Sequence, residues 1–428
     1  MAIISPFFLF HRKFLLKLQQ DKYKWMAINV RMVEIPKEFH EALPILQKIE
    51  SAGYEAYFVG GSVRDTILQR PIHDVDIATS AYPSEVKSLF KRTVDTGIEH
   101  GTVMILDHGT GYEVTTFRTE SGYQDYRRPD KVTFVRSLKE DLKRRDFTIN
   151  ALALSENGQI TDLFGGLDDM KKRIIRAVGD PNERFNEDAL RMMRAVRFAS
   201  QLDFRIENAT LAGIRRHSEL LEKIAVERSH TEFVKMMLGV DAENGLNIML
   251  ETNLYQHVPV LGNYLPQLKA IVASKFQLTN EVQVWSLLSF KFGFSASQIS
   301  TFLKKWKTAN KIINDVILTT ELLFSIARGE VSNSILYHAG AENVDNAVVI
   351  TADSTKTSGL KERYNNLPIK NKKQLQITGG ELIKRGVLKP SPQLGKVLDT
   401  LEHNVVAGTI PNQQEKLVKA AINFLNED

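Results

Sequence analysis

The sequence predicts an α+β protein, a mixed β-sheet with helices followed by an all-helical remainder. Short β-rich runs alternate with helical segments from Tyr54 to about Val135. Beyond Arg184 the apolar residues fall into long stretches at helical spacing, such as Leu190, Met193 and Val196, then Phe233, Met236 and Met237. The chain is 428 residues long, enough for about three domains at roughly 150 residues each.

Taken in order, the segment Ile3 to Phe10 is apolar but far shorter than the ~20 residues a membrane span needs. Its positive charges, His11, Arg12, Lys13 and Lys17, follow the apolar run, whereas a signal peptide places them before it. Residues 1–31 are therefore expected to be an extension outside the fold, with no membrane partner and a cytoplasmic location. Strands are expected at Tyr54 to Val59, Val75 to Ala78, Thr102 to Leu106, Tyr112 to Phe117 and Val132 to Val135, and a helix at Pro83 to Arg92. Polar, turn-rich residues from Arg118 to Lys131 predict a loop. Prolines punctuate the helical remainder, at Pro259, Pro266, Pro368, Pro390 and Pro392. The expected domains are 32–170 for the sheet and 171–242, 243–328 and 329–428 for three helical parts.

Composition narrows the chemistry. Hydrophobic residues make up 43% and charged residues 25%, which excludes a disordered tail protein and a membrane protein. The absence of cysteine excludes disulfides, thiolate nucleophiles and Cys-ligated metals, so any metal must rest on oxygen or imidazole. Lys and Arg number 56 and Asp and Glu 51, a net charge of +5 that is compatible with a polyanionic partner without requiring one.

The most informative stretch is Gly60-Gly61-Ser62-Val63-Arg64-Asp65, placed after an apolar strand and opening a helical segment. Two glycines at such a turn let backbone amides approach a phosphate, although a tight turn alone would also use them. Nine residues after Asp65 comes Asp74-Val75-Asp76. Strand alternation would set both carboxylates on one face, where their repulsion favours a divalent cation between them. Hard oxygen ligands of this kind suit Mg²⁺, which fills its remaining positions with water and substrate phosphates.

These residues, with Ile77-Ala78-Thr79 beyond them, resemble the signature of the nucleotidyltransferase superfamily in its class II tRNA-terminal, CCA-adding branch; bacterial poly(A) polymerases share it. The resemblance is dense from about Ile35 to Glu232. It implies a palm-like nucleotidyltransferase head followed by helical neck, body and tail. It further implies that Asp74 and Asp76 hold two metal ions, with Glu113 a candidate third carboxylate, and that Gly61 and Arg64 belong to the nucleotide site. Arg144-Arg145-Asp146 resembles the family's sugar-recognition motif, with Arg145 toward the nucleotide and Asp146 toward a ribose hydroxyl. Asp162-Leu163-Phe164-Gly165-Gly166 resembles its hinge, and Asp125 to Arg128 keeps the Asp-x-x-Arg pattern of the loop that helps switch from CTP to ATP.

Base choice is expected from Glu187-Asp188-Ala189-Leu190-Arg191, where spacing predicts Asp188 and Arg191 as neighbours on one helix face. Cytosine and adenine each present an amino donor beside a ring acceptor, whereas uracil and guanine present the reverse. One carboxylate beside one guanidinium therefore fits C and A, and leaves unpaired groups against U and G. Arg194 and Arg197, carried over from the family as nucleotide-site residues, are expected to reach different groups, because each three-residue step falls about sixty degrees short of a turn. Glu227-Arg228 and Glu232 resemble a stabilising motif of the neck, with a structural role. Lys361, Arg363, Lys370, Lys372 and Lys373 could neutralise tRNA phosphates, but a solvated surface is the commoner meaning of such charges.

The expectation is thus an enzyme that adds C, C and A to the 3′ end of tRNA from CTP and ATP. A poly(A) polymerase is the nearest rival, and an idle RNA-binding protein on the same scaffold the second; whether the chain forms a homodimer is left open. Against the first rival, Val178 to Phe185 has the acidic form typical of CCA enzymes.

Overall fold

The computed structural model describes residues 32, 35–124, 128–351 and 353–427. The chain divides into two compact units. The first runs to residue 172 without 122–129; the second comprises 122–129 and everything from Arg173 onward.

The first unit is built on a seven-stranded sheet. Its strands in chain order are β1 (Ala56–Val59), β2 (Asp76–Thr79), β3 (Thr93–Gly97), β4 (Thr102–Asp107) and β5 (Thr110–Thr116), then β8 (Leu152–Leu154) and β9 (Ile160–Asp162) after a separate two-stranded sheet of β6 (Arg118–Gln124) and β7 (Arg128–Phe134). Their spatial order is β3-β4-β5-β2-β1-β8-β9, with β2 and β5 parallel and every other neighbouring pair antiparallel. The helix Lys37–Ser51 repeats its apolar residues at three- and four-residue steps, burying Phe39, Ala42, Ile45, Leu46 and Ile49. Phe39 stacks on Phe58 of β1 with ring centroids 4.5 Å apart.

Several elements depart from the sequence expectation. The helix from Pro83 stops at Leu89, because Phe90 turns extended toward β3. The expected loop 118–131 is mostly strand, β6 and β7, since its polar residues carry no apolar alternation to reveal it. Asp125 to Arg127, the first three residues of the expected switching loop, lie outside the described residues. The segment Phe147 to Leu154, helical or strand-like by sequence, ends in β8, which is buried throughout and so lacks alternation; β9 is not expected from sequence.

From Arg173 onward the described residues of the second unit are helical apart from the paired dipeptides Ile174–Ile175 and Arg205–Ile206. Its helix Leu190–Leu202 buries Met192, Met193, Ala195, Val196 and Ala199. The helices Val226–Met237, Glu281–Phe292 and Ala296–Lys305 meet around Phe233, Trp285, Phe302 and Trp306, the last also fully buried. Farther along, Leu382, Leu401, Val405, Leu417 and Ala421 form a second apolar core. Among the described residues no helix is long and apolar enough to cross a membrane.

Inside the aromatic cluster, His230 Nδ1 lies 2.8 Å from the Trp306 carbonyl and Nε2 2.8 Å from Glu281 Oε1. Both partners only accept hydrogen bonds, so the ring donates from both nitrogens and is an imidazolium. Burial opposes that charge, but the hydrogen bonds to Glu281 and to the Trp306 carbonyl outweigh it and raise the His230 pKa. The same contact lowers that of Glu281. A raised histidine stabilises the fold fully below its ordinary pKa of 6.5 and ceases to do so as pH climbs through the folded value. His230→Ala should therefore cost about 1–3 kcal/mol at pH 6 and reduce the stability difference between pH 6 and pH 8.5. Urea unfolding at the two pH values measures both effects; a cost independent of pH would contradict the imidazolium assignment.

Candidate active site

In the first unit, the chain leaves β1 through Gly60, whose φ of +74° is one that L side chains rarely adopt. Space gives a second reason for glycine there, because a Cβ would stand 3.1 Å from Arg145 Nη1 and 3.9 Å from Asp76 Oδ2. Gly61 then opens the helix Gly61–Ile67. The turn is braced from within: Ser62 Oγ donates to the Val59 carbonyl at 3.1 Å, and buried Arg64 forks onto both oxygens of Asp65 at 2.9 and 2.7 Å. Arg64 Nη1 also donates to Asn150 Oδ1 at 2.7 Å, tying the turn to the segment before β8.

Asp76 is the first residue of β2 and pairs in register with Val59 on one side and Glu113 on the other. Partners in neighbouring strands are about 4.8 Å apart with side chains on a common face, so the register sets Glu113 beside Asp76. Burial and the Glu113 charge raise the Asp76 pKa, Arg145 opposes them, and Asp74 adds to the rise. Asp74 itself lies outside the strand and is exposed. The expectation that strand alternation places Asp74 and Asp76 on one face is thus corrected. The ladder ends at Val59↔Asp76 because Gly60 turns β1 away, which leaves residues 74 and 75 without a neighbour on that side.

Arg145 follows the helix Leu138–Lys143. Its Nη2 lies 3.2 Å from Asp141 Oδ2 and its Nη1 3.5 Å from the Asn150 carbonyl, while the adjacent Arg144 forks onto Asp141 Oδ1 at 3.0 and 2.7 Å. Asp146 Oδ1 accepts from the Phe147 amide at 2.8 Å and from Asn150 Nδ2 at 2.9 Å, stabilising the turn. The expected hinge has a different basis. Asp162 receives the amides of Phe164, Gly166 and Leu167, and a Cβ on Gly166 would fall 2.2 Å from the Thr148 carbonyl oxygen. Close packing requires glycine at 166.

Among the described residues no three acidic or histidine side chains already converge as a closed metal-binding group. An open site suits a hard ion that completes its shell with water and phosphate oxygens. The raised pKa of Asp76, with Glu113 and Asp74 contributing, marks a concentration of negative charge with only Arg145 opposing it among the principal influences. That donor set fits a divalent cation.

The second unit carries the other expected residues. The helix Pro181–Glu187 begins with an Asp180 cap, whose side chain accepts from the Asn182 amide, and ends before Asp188. Asp188 is extended, and the next helix starts at Leu190. Asp188 and Arg191 are therefore not on one helix face as the spacing predicted; they flank a joint between two helices. Asp188 Oδ1 accepts from the Leu190 amide at 3.0 Å, a local bond that competes with a continuous helix, and Oδ2 from Arg228 at 3.3 Å. Buried Arg191 reaches back across the joint to Glu187 at 3.0 Å, and Arg184 pairs with that same carboxylate.

Arg194 and Arg197 share one carboxylate, while Arg197 Nη1 also donates to Gln201 Oε1 at 3.2 Å. Both approach Glu232, at 3.9 and 2.5 Å, and Arg197 also lies 4.0 Å over the Phe198 ring. The carboxylate comes from the adjacent helix Val226–Met237, which turn arithmetic within one helix could not anticipate. Arg228 and Glu232 contact Asp188 and Arg197, residues expected from sequence to take part in base and nucleotide recognition. Asp141, Asn150, Glu187 and Arg228 had no assigned part in holding these sites; the signal for Asp141 was its spacing of three and four residues before Arg144 and Arg145. Of the five C-terminal cations, Lys361 pairs with Asp345, Lys372 with Asp399, and Arg363 and Lys370 donate to backbone carbonyls.

The Poly A polymerase head domain matches residues 56–176, and tRNA nucleotidyltransferase domain 2 matches residues 276–421. The CCA-adding enzyme of Levilactobacillus brevis is 55% identical over 395 residues, covering 91% of this chain and 99% of that protein. That of Limosilactobacillus fermentum is 55% identical over 399 residues, covering 92% and 100%. The crystal structure of the Bacillus stearothermophilus CCA-adding enzyme in complex with CTP superposes with a TM-score of 0.83 at 39% identity, covering 92% of this chain and 99% of that one. Agreement over nearly the full length of both chains shows that this protein belongs to the class II CCA-adding nucleotidyltransferases.

Proposed function

We propose that this chain completes the 3′ end of tRNA by adding C, C and A from CTP and ATP with release of pyrophosphate. The observation that carries the proposal is the in-register pairing of Asp76 with Glu113 beside the Gly60 turn and Arg145. Near full-length similarity to CCA-adding enzymes favours this over a poly(A) polymerase. It also favours the division of the helical unit into neck (171–242), body (243–328) and tail (329–428), and a cytoplasmic location, where tRNA and nucleoside triphosphates are found.

Asp74 and Asp76 would hold the metal, with Glu113 next to Asp76 as the third carboxylate. The family uses divalent ions, and we assign them as Mg²⁺; when bound, they make the terminal hydroxyl of the RNA a better nucleophile and neutralise charge on the triphosphate. The 3′-oxygen forms a bond to the α-phosphorus, and the bond from that phosphorus to the pyrophosphate oxygen breaks. Gly61 and Arg64 are nucleotide-binding residues in this proposal, Arg64 through the turn that it braces. Arg145 supplies a cation toward the nucleotide. The protein contributes position and fixed charge, while the nucleophile belongs to the RNA.

Asp188 and Arg191 select the base, the carboxylate accepting from the amino group of C or A and the guanidinium donating to the ring nitrogen. Their different anchors, Arg228 for one and Glu187 for the other, allow the two heads to be held independently. Arg194 and Arg197, gathered on Glu232, add positive charge to the nucleotide site.

A tRNA lacking its last three nucleotides, incubated with each triphosphate singly and together, should gain three residues only when CTP and ATP are both present; a long A tail would reject the proposal. Asp76→Ala should abolish incorporation while tRNA binding, read by gel shift, survives. Asp188→Ala should erode discrimination against UTP and GTP by about 100-fold or more, out of the 10⁴–10⁵ a hydrogen-bonding site can reach; unchanged kcat/KM ratios among the four triphosphates would remove Asp188 from base choice. Gly60→Ala combines backbone strain of about 1–3 kcal/mol with a close approach to Arg145, so both thermal stability and nucleotide incorporation should fall.

A further inference from the structure

We infer that Asp141 is a positioning residue for the nucleotide, acting through Arg145. The inference rests on the proposal that Arg145 binds the nucleotide, and it concerns how that guanidinium is aimed.

Asp141 is fully buried in the short helix Leu138–Lys143, yet it touches none of the carboxylates of the metal strand. A carboxylate so placed is strongly disfavoured unless cations compensate it. Burial alone would raise its pKa, but the charges of Arg144 and Arg145 hold it below the ordinary carboxylate value. Asp141 is thus ionised, and its two oxygens are divided between neighbours. Oδ1 takes the fork of Arg144, together with the Arg118 amide at 3.4 Å; Oδ2 takes Arg145 Nη2 at 3.2 Å.

This division determines what Arg145 can do. With Nη2 on Asp141, its Nη1 is the atom brought up to Gly60, at the side where Asp76 Oδ2 also lies. Arg145 Nε is buried and makes no hydrogen bond, so the guanidinium is held chiefly by Asp141 and by the long contact from Nη1 to the Asn150 carbonyl. Without the Asp141 charge, the carboxylate on the same side of Gly60 as Arg145 Nη1 is that of Asp76. Arg145 would then be drawn onto a metal-binding carboxylate instead of standing beside it. Arg144, on the other oxygen, is also paired with Glu120 at 3.3 Å, and Glu120 with Arg118 at 2.9 Å. The buried carboxylate therefore supports the base of the β6–β7 ribbon and the nucleotide-facing arginine together.

The test is a double-mutant cycle on the full-length protein, with nucleotide KM, kcat, tRNA binding and melting temperature measured for each form. Asp141→Asn should raise KM for CTP and for ATP about 10- to 100-fold, with a smaller change in kcat and none in tRNA binding. In an Arg145→Ala background the same substitution should raise KM no further, since the residue through which it acts is gone; a purely structural role would leave the two effects additive. Should Asp141→Asn not fold, the cycle is run with Asp141→Glu, which keeps the charge and displaces the oxygens by one methylene. Additive effects on KM, or an Asp141 variant with unaltered KM, overturn the inference while leaving Arg145 as a nucleotide ligand. An Arg145→Ala protein with unaltered KM overturns that underlying assignment and the inference with it.

Discussion

The parallel pairing of β2 with β5 is the constraint on which the rest depends. It sets the Asp76 and Glu113 carboxylates side by side, and burial together with the Glu113 charge raises the Asp76 pKa. A sheet that creates this concentration of charge must also limit it. The Gly60 turn admits the Arg145 guanidinium next to Asp76, and a Cβ there would press on it at 3.1 Å. The strain of a left-handed turn, the crowding of carboxylates and the nearby cation are one arrangement seen from three sides.

Around this arrangement the protein uses buried ion pairs as rigid supports. Such pairs add little net stability, because desolvation offsets much of the attraction, but removing one partner leaves a charge that nothing solvates. That asymmetry suits holding an arginine in one orientation. Asp141 does so for Arg144 and Arg145 in the sheet unit, Glu187 for Arg184 and Arg191 in the helical unit, and Glu232 for Arg194 and Arg197. In each case one carboxylate serves two arginines.

How much was legible in sequence followed the range of the interactions involved. Gly60, Asp76 and Arg145 lie in local motifs whose residue types already state their chemistry, and the structure brings these three together as nearest neighbours. Glu113 carried no local mark beyond a place in a predicted strand, and its standing came from the register with Asp76, across 37 residues of chain. The pairing of Asp188 with Arg228 and of Arg197 with Glu232 was hidden for the same reason: the partners sit 40 and 35 residues apart. Errors arose where a periodic rule was extended past the end of an element. Strand alternation was applied to Asp74, which precedes the strand, and helix spacing to Asp188, which stands in a break.

The amino-acid sequence by itself determined the class of the fold, the succession from sheet to helices and which residues are candidates for the site, since periodicity and short motifs are properties of neighbouring residues. Tertiary structure alone decided which carboxylate stands beside Asp76, which acid aims each arginine, and why glycine is required at positions 60 and 166. Those outcomes depend on strand register and on atoms approaching from distant parts of the chain, and such distances become short only once the hydrophobic core has closed.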